Sequence, residues 1–390
     1  MFDRKAIIDI NQRKSTQQLN LYFRENYNTL VERIIAICSV PSPTFQEQNR
    51  TEFLRKLLLG DGFEAIFDNA GSVVTKYAGR SSNKALAVLA HVDTVFPTRV
   101  EIKVERTADT LSAPGIGDNS TSVASMVQIM LAWKLIGYEP PCDVFFVMDV
   151  GEEGLGDLCG ARAFISDKQE ILAAVIALDG TMGYVTNVGI GVRRLRVTIR
   201  TTGGHSWGNF PSPSAIHALG RCISEISDIK VPADPRTTYN VGVVEGGTSV
   251  NTIAEEATML VDLRSVDGSK VSWLEGVVRD IVSFHCSRDD VTYTIEVVGD
   301  RPAGNIPPTH PLVETVLACA SISEVEVSLG ASSTDANIPL SIGIPAVAIG
   351  CYEGEGAHRL SEKIFPASLQ RGLPYVNLAL LAVLEWLDSL

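Results

Sequence analysis

Four short apolar runs constrain this chain more than any other feature. They are residues 85–90 (ALAVLA), 144–148 (VFFVM), 174–178 (AVIAL) and 345–349 (PAVAI). Each has the length of a strand, and none alternates with polar residues, which suits strands covered on both faces. Helical periodicity over 16–38, 45–59, 121–136, 311–322 and 375–389 supplies the covering layers. The expected class is therefore α/β, a mostly parallel sheet with helices on both faces.

The same runs concentrate chemistry. Residues 85–90 lead into His91 and Asp93, and 144–148 lead through Asp149 into Glu152 and Glu153. Residues 174–178 end at Asp179, and 345–349 open a loop holding His358. Asp118 stands in a Gly-rich turn just before the helix near 121. In a parallel sheet all carboxyl ends face one crevice, where ligands bind. Taken singly, each residue reads as an ordinary strand end, turn or solvated loop. Two of only six histidines at one rim with several carboxylates is a different matter. Nitrogen and oxygen donors without sulfur suit zinc, and also cobalt or manganese. Five ligands exceed one tetrahedral ion with an open position and fit two ions sharing a carboxylate. Adjacent Glu152 and Glu153 would divide the remaining work, one as ligand and one as general base.

Composition narrows the setting. The chain has 390 residues, 45% hydrophobic and 20% charged, which excludes disordered and fibrous classes and predicts two or three domains. A net charge of −13 argues against nucleic acid and anionic membrane as partners. Seven cysteines, an odd number without CxxC spacing, disfavour a disulfide framework or thiolate site and point to a reducing cytoplasm. No signal-like segment or membrane-length apolar run is present.

Near residue 190 the pattern changes. A strand at 192–200, a helix at 213–228, strands at 238–244 and 256–264, a helix at 269–285 and a strand at 291–298 give the order β-α-β-β-α-β. That is the ferredoxin-like arrangement. The expected organisation is a catalytic domain of residues 1–188 and 300–390, interrupted by an inserted α+β domain at 189–299.

The segments AHVDTV (90–95), GIGDN (115–119), GEEG (151–154), LDG (178–180), GGHS (203–206), SVNTI (249–253), VDLRS (261–265), STDANIP (333–339) and AHRLSE (357–362) occur in one order along the chain. Together they resemble the dinuclear zinc amidohydrolases that include carboxypeptidase G, peptidase T, aminoacylase and succinyl-diaminopimelate desuccinylase. The likeness runs from about residue 25 onward, and the LDG segment is in the style of peptidase T. The resemblance implies a role for each residue. His91 and Asp179 hold one metal, Glu153 and His358 the other, and Asp118 bridges them. Asp93 orients His91, Glu152 is the general base, and the peptide bond after Asp118 is cis. His205 reaches the partner subunit's site and stabilises the oxyanion, while Arg264 and Asn251 hold the substrate's carboxylate. Without the resemblance, His205 reads as a turn residue and Arg264 as an edge-strand arginine in a surface pair. Asp335 lies on the substrate-side loop and receives no catalytic role. The run Asn119-Ser120-Thr121-Ser122 departs from the lysine and glycine pair of many relatives. The insert would serve as lid and dimerisation domain. The expected activity is hydrolysis of amide bonds in small carboxylate-bearing peptides. The runner-up is an N-acyl-amino-acid deacylase, and a non-catalytic ligand-binding protein is a remote third.

Overall fold

The four apolar runs become the centre of a nine-stranded mixed sheet. The computed structural model describes residues 4–289 and 291–390. The chain divides into one unit of residues up to Gly189 together with Asn305–Leu390, and a second of Ile190–Gly304. In the first unit, Cys142–Asp149, Ser81–His91, Leu172–Leu178 and Ala346–Ile349 lie side by side in parallel. Antiparallel neighbours flank them, Val73–Tyr77 on one side and Tyr184–Gly189 on the other.

Residues 85–90 are at most 1% exposed. Because strand side chains alternate, the run splits between two cores. Leu86, Val88 and Ala90 join the larger core, with Ile34, Ile37, Val127, Met130 and Val383 from the helices on that face. Ala85, Ala87 and Leu89 face Ala161, Phe164 and Ile165 on the other. Burying a large apolar side chain contributes roughly 1.5–3 kcal/mol, so double-sided burial makes these strands the rigid part of the unit. Their parallel direction puts His91, Asp149 and Asp179 at one rim.

Some boundaries differ from the sequence pattern. The periodicity over 16–38 is two helices, Lys14–Glu25 and Tyr27–Cys38, broken at Asn26 (φ −102°, ψ 18°). The apolar spacing continues across the break, so periodicity alone does not register it. The last helix begins at Leu369, before Pro374 rather than after it. Pro374 is the sixth residue of that helix, so it lies inside it and gives up the amide that would bond the Gln370 carbonyl. A further helix, Arg4–Gln12, buries Ile7 and Ile10.

The second unit has strand order Thr237–Gly246, Glu256–Ser265, Gly191–Arg200, Thr292–Arg301, all antiparallel. Leu195, Val197, Ile199, Met259, Val261 and Leu263 pack on the helices Ala215–Ser227 and Gly268–Asp289. The opposite sheet face is polar, with Arg194 Nε 3.2 Å from Asp262 Oδ1. This is the ferredoxin-like order. All seven cysteines are free. Among the described residues no helix is long and apolar enough to cross a membrane.

Candidate metal centre

His91 ends a buried strand and is itself 1% exposed. Its Nε2 lies 3.1 Å from Asp118 Oδ1 and 3.8 Å from Asp179 Oδ1. His358 comes from the loop between the paired strands Glu353–Glu355 and Lys363–Phe365, with φ 66°. Its Nε2 lies 3.1 Å from Asp118 Oδ2 and 3.0 Å from Glu153 Oε1. The two oxygens of Asp118 thus face different histidines, and each histidine has its own further carboxylate. Ligand atoms of His91, Asp118 and Glu153 all fall within 4.8 Å of one another. Five nitrogen and oxygen donors divided this way fit two divalent cations about one bridging carboxylate.

The loops that present these donors are held by their own polar side chains. Asp93 is fully buried and accepts from the backbone amides of Glu152 (3.0 Å) and Glu153 (2.9 Å) and from Thr44 Oγ1 (2.9 Å). It also lies beside His91, whose Nδ1 is 3.5 Å from Asp93 Oδ1 and 3.1 Å from the Asp93 carbonyl oxygen. One carboxylate therefore orients the imidazole and the Glu-Glu loop together. The Asp118–Asn119 peptide bond is cis. Asn119 is fully buried and donates from Nδ2 to the Leu178 carbonyl (2.8 Å), tying the Asp118 turn to the strand end that carries Asp179. Ser120 and Thr121 hydroxyls donate to the Gly115 (2.6 Å) and Ile116 (2.7 Å) carbonyls. The unusual Asn-Ser-Thr run is thus the internal bracing of its own turn.

The charges respond to this crowding. Burial works against a proton on His91, yet hydrogen bonds to Asp118, Asp179 and Asp93 outweigh it and hold its pKa well above the usual value. Hydrogen bonds to Asp118 and Glu153 raise His358 to about 10. For Asp118, burial favours the neutral acid, but His358 and His91 prevail and its pKa is lowered. Behind the rim, Asp149 and Asp335 are at most 1% exposed, and among the described residues neither Asp149 carboxylate oxygen has a hydrogen-bond partner. Burial raises the pKa of both, Asp149 to about 7.

The second unit carries the other expected residues. His205 is exposed, and its Nδ1 accepts from the amides of Trp207 (3.1 Å) and Gly208 (3.3 Å). Its proton therefore sits on Nε2, which is left as a donor. Asn251 is a close neighbour: its carbonyl accepts from the Ser206 amide (3.0 Å), and its Oδ1 from Ser249 Oγ (2.8 Å). Arg264 lies on an internal strand of the four, not an edge, and donates from Nε to Asp262 Oδ2 (2.6 Å).

Known proteins with the same features are numerous. A family pattern described as a peptidase dimerisation domain matches residues 190–290, and one described as peptidase family M28 matches 72–209. Protein YqjE of Bacillus subtilis is 25% identical over 362 residues, 87% of this chain and 94% of that protein. A tripeptidase from Staphylococcus aureus shares the fold with a TM-score of 0.78 at 20% identity, over 92% of this chain and 99% of that one. YXEP of Bacillus subtilis, described as a dinuclear metal binding peptidase from the M20 family, does so with a TM-score of 0.67 at 17% identity, over 93% and 99%. The chain thus carries a peptidase dimerisation domain pattern over residues 190–290 and shares its fold with these peptidases.

In this chain the structure brings His91, Asp93, Asp118, Glu153, Asp179 and His358 together at one rim, with the Glu152 amide bonded to Asp93. It adds several that sequence reasoning missed. Arg50, within a stretch of ordinary helical periodicity, is fully buried and donates to the carbonyls of Val40 (2.8 Å), Val92 (2.9 Å) and Cys38 (3.3 Å). Its signal was a lone arginine, which reads as surface. Asp335, on the loop that resembles a substrate-side loop, is buried beside Asp149.

Proposed function

We propose that the chain hydrolyses amide bonds in small peptides bearing a free carboxylate, using two divalent cations. His91, Asp179 and Asp118 would hold one, and His358, Glu153 and Asp118 the other. The observation that carries this reading is the division of donors between the two oxygens of Asp118. The sulfur-free donor set favours zinc, with cobalt or manganese as substitutes. When bound, such a pair lowers the pKa of a water and polarises the scissile carbonyl. Glu152 takes the water's proton and delivers it to the departing amine. Asp93 keeps the Glu152 backbone and the His91 ring in place for that transfer. His205 offers its Nε2 proton to the carbonyl oxygen as charge develops there. Arg264 and Asn251 take the substrate's carboxylate, Arg264 exchanging Asp262 for it. The likeness to a tripeptidase favours short peptides, and the matched dimerisation domain favours a homodimer through the second unit. Seven free cysteines favour the reducing cytoplasm.

An amine-release assay across dipeptides, tripeptides and N-acyl-amino acids tests the reading, with Glu152→Ala as control. Metal-dependent peptide turnover that the mutation removes supports it. Turnover of N-acyl-amino acids alone makes the chain a deacylase. If no metal-dependent hydrolysis disappears with Glu152→Ala, the chain is a binding protein.

Protons and metals compete for the same imidazoles. Both histidine pKa values are raised in the metal-free chain, so both protons are present at neutral pH and leave as pH rises through the shifted values. Metal uptake is therefore expected to strengthen with pH and to release about two protons per chain at pH 7. Titration calorimetry in buffers of different protonation enthalpy reads this directly; heats independent of buffer would contradict it.

A further inference from the structure

Glu362 has no role in the reading above, yet its carboxylate is 2% exposed and makes three hydrogen bonds to the turn that carries Asp118. Oε2 accepts from the Gly115 amide (2.9 Å), and Oε1 from the amides of Gly117 (2.8 Å) and Asp118 itself (2.8 Å). The backbone of the same residue works in the same direction. Its carbonyl accepts from the Ala113 amide (3.0 Å), and its amide donates to the Arg359 carbonyl (3.0 Å), next to His358. Gly117 lets the turn approach this carboxylate closely, with no room for a side chain. A Cβ there would stand 2.8 Å from Tyr352 Oη and 2.9 Å from Glu362 Oε1. Gly115 sits at φ +74°, a left-handed conformation that suits glycine. The turn is thus wrapped on a buried carboxylate rather than on a helix or sheet ladder. That carboxylate belongs to the loop that also carries His358.

We infer that Glu362 is a positioning residue that sets where Asp118 stands between the two histidines, and so sets the spacing of the two metal positions. The inference rests on the dinuclear reading above. Three amides of the Asp118 turn, that of Asp118 among them, converge on this one carboxylate. Removing the carboxylate leaves those buried amides without acceptors and lets the turn shift. The bonds from the Glu362 backbone to Ala113 and Arg359 survive the substitution, so the loops stay joined while the bridging aspartate loses its seat.

The test is cobalt titration of the metal-free wild type, Glu362→Ala and Glu362→Gln, read by visible d–d absorption, with circular dichroism as the folding control. Glu362→Ala is expected to keep the wild-type circular dichroism, to bind Co2+ about 10–100-fold more weakly, and to show displaced d–d bands. Its peptide KM stays near wild type while kcat falls, because the substrate's contacts are not touched. Glu362→Gln keeps one carbonyl oxygen for two amides and turns a donor toward the third. It falls between the other two proteins. Wild-type cobalt affinity and spectrum in Glu362→Ala overturn the inference. If Glu362→Ala does not fold, the same result in folded Glu362→Gln overturns it equally. A wild type that binds no cobalt overturns the dinuclear reading itself, and the inference with it.

Discussion

Replacing Glu152 by glutamine is expected to lower kcat by about 10²–10⁴-fold, the range for removing a positioned general base, with metal content unchanged. Glu152 is 5% exposed, and its backbone amide is already bonded to Asp93 Oδ1 at 3.0 Å. The glutamine keeps that anchor and the side-chain volume, and it loses only the ability to accept and return a proton. The neighbour separates the two roles. Glu153 Oε1 is 3.0 Å from His358 Nε2, so Glu153→Gln is expected to weaken metal binding on the His358 side as well as activity. Kinetics paired with metal analysis reads both variants. Glu152→Gln protein that has lost metal would reverse the assignment of base and ligand. Activity within tenfold of wild type would remove Glu152 from the mechanism.

The second large effect is expected from Asp118→Ala. Asp118 is the group within 3.1 Å of both His91 and His358. Without it the two donor sets no longer share an atom, and neither retains its full complement. Losing metal-derived stabilisation of several kcal/mol corresponds to about 10³-fold or more in kcat/KM. The metal-to-protein ratio is expected to fall in parallel. The substitution also removes the hydrogen-bond acceptor that raises both histidines, so their protons are lost at lower pH than in the wild type. Elemental analysis and imidazole titration by NMR check these outcomes together. Full metal occupancy in Asp118→Ala would dissolve the idea of a shared carboxylate.

Much of the fold was legible because burial on both faces leaves a mark that burial on one face does not. ALAVLA and AVIAL contain no polar residue, and the structure divides them by alternation between two cores. The rim residues were legible for a related reason, since a parallel strand must end where the ligand crevice begins. The supporting residues were not. Asn119, Arg50 and Glu362 all act by bonding to backbone amides or carbonyls. A backbone partner has no residue type, so no spacing or pairing in the chain announces it. The helix break at Asn26 escaped for the opposite reason, because the pattern there is regular while the backbone is not.

The sequence by itself determined the layers, the ferredoxin-like second unit and the inventory of nitrogen and oxygen donors. Those follow from periodicity and residue chemistry, which are local properties. Only the tertiary structure decided which oxygen of Asp118 meets which histidine, and it set Glu153 Oε1 3.0 Å from His358 Nε2. Each of these is a distance of about a hydrogen bond's length, 2.7–3.2 Å, between atoms on separate segments. Such distances arise only when the whole core packs.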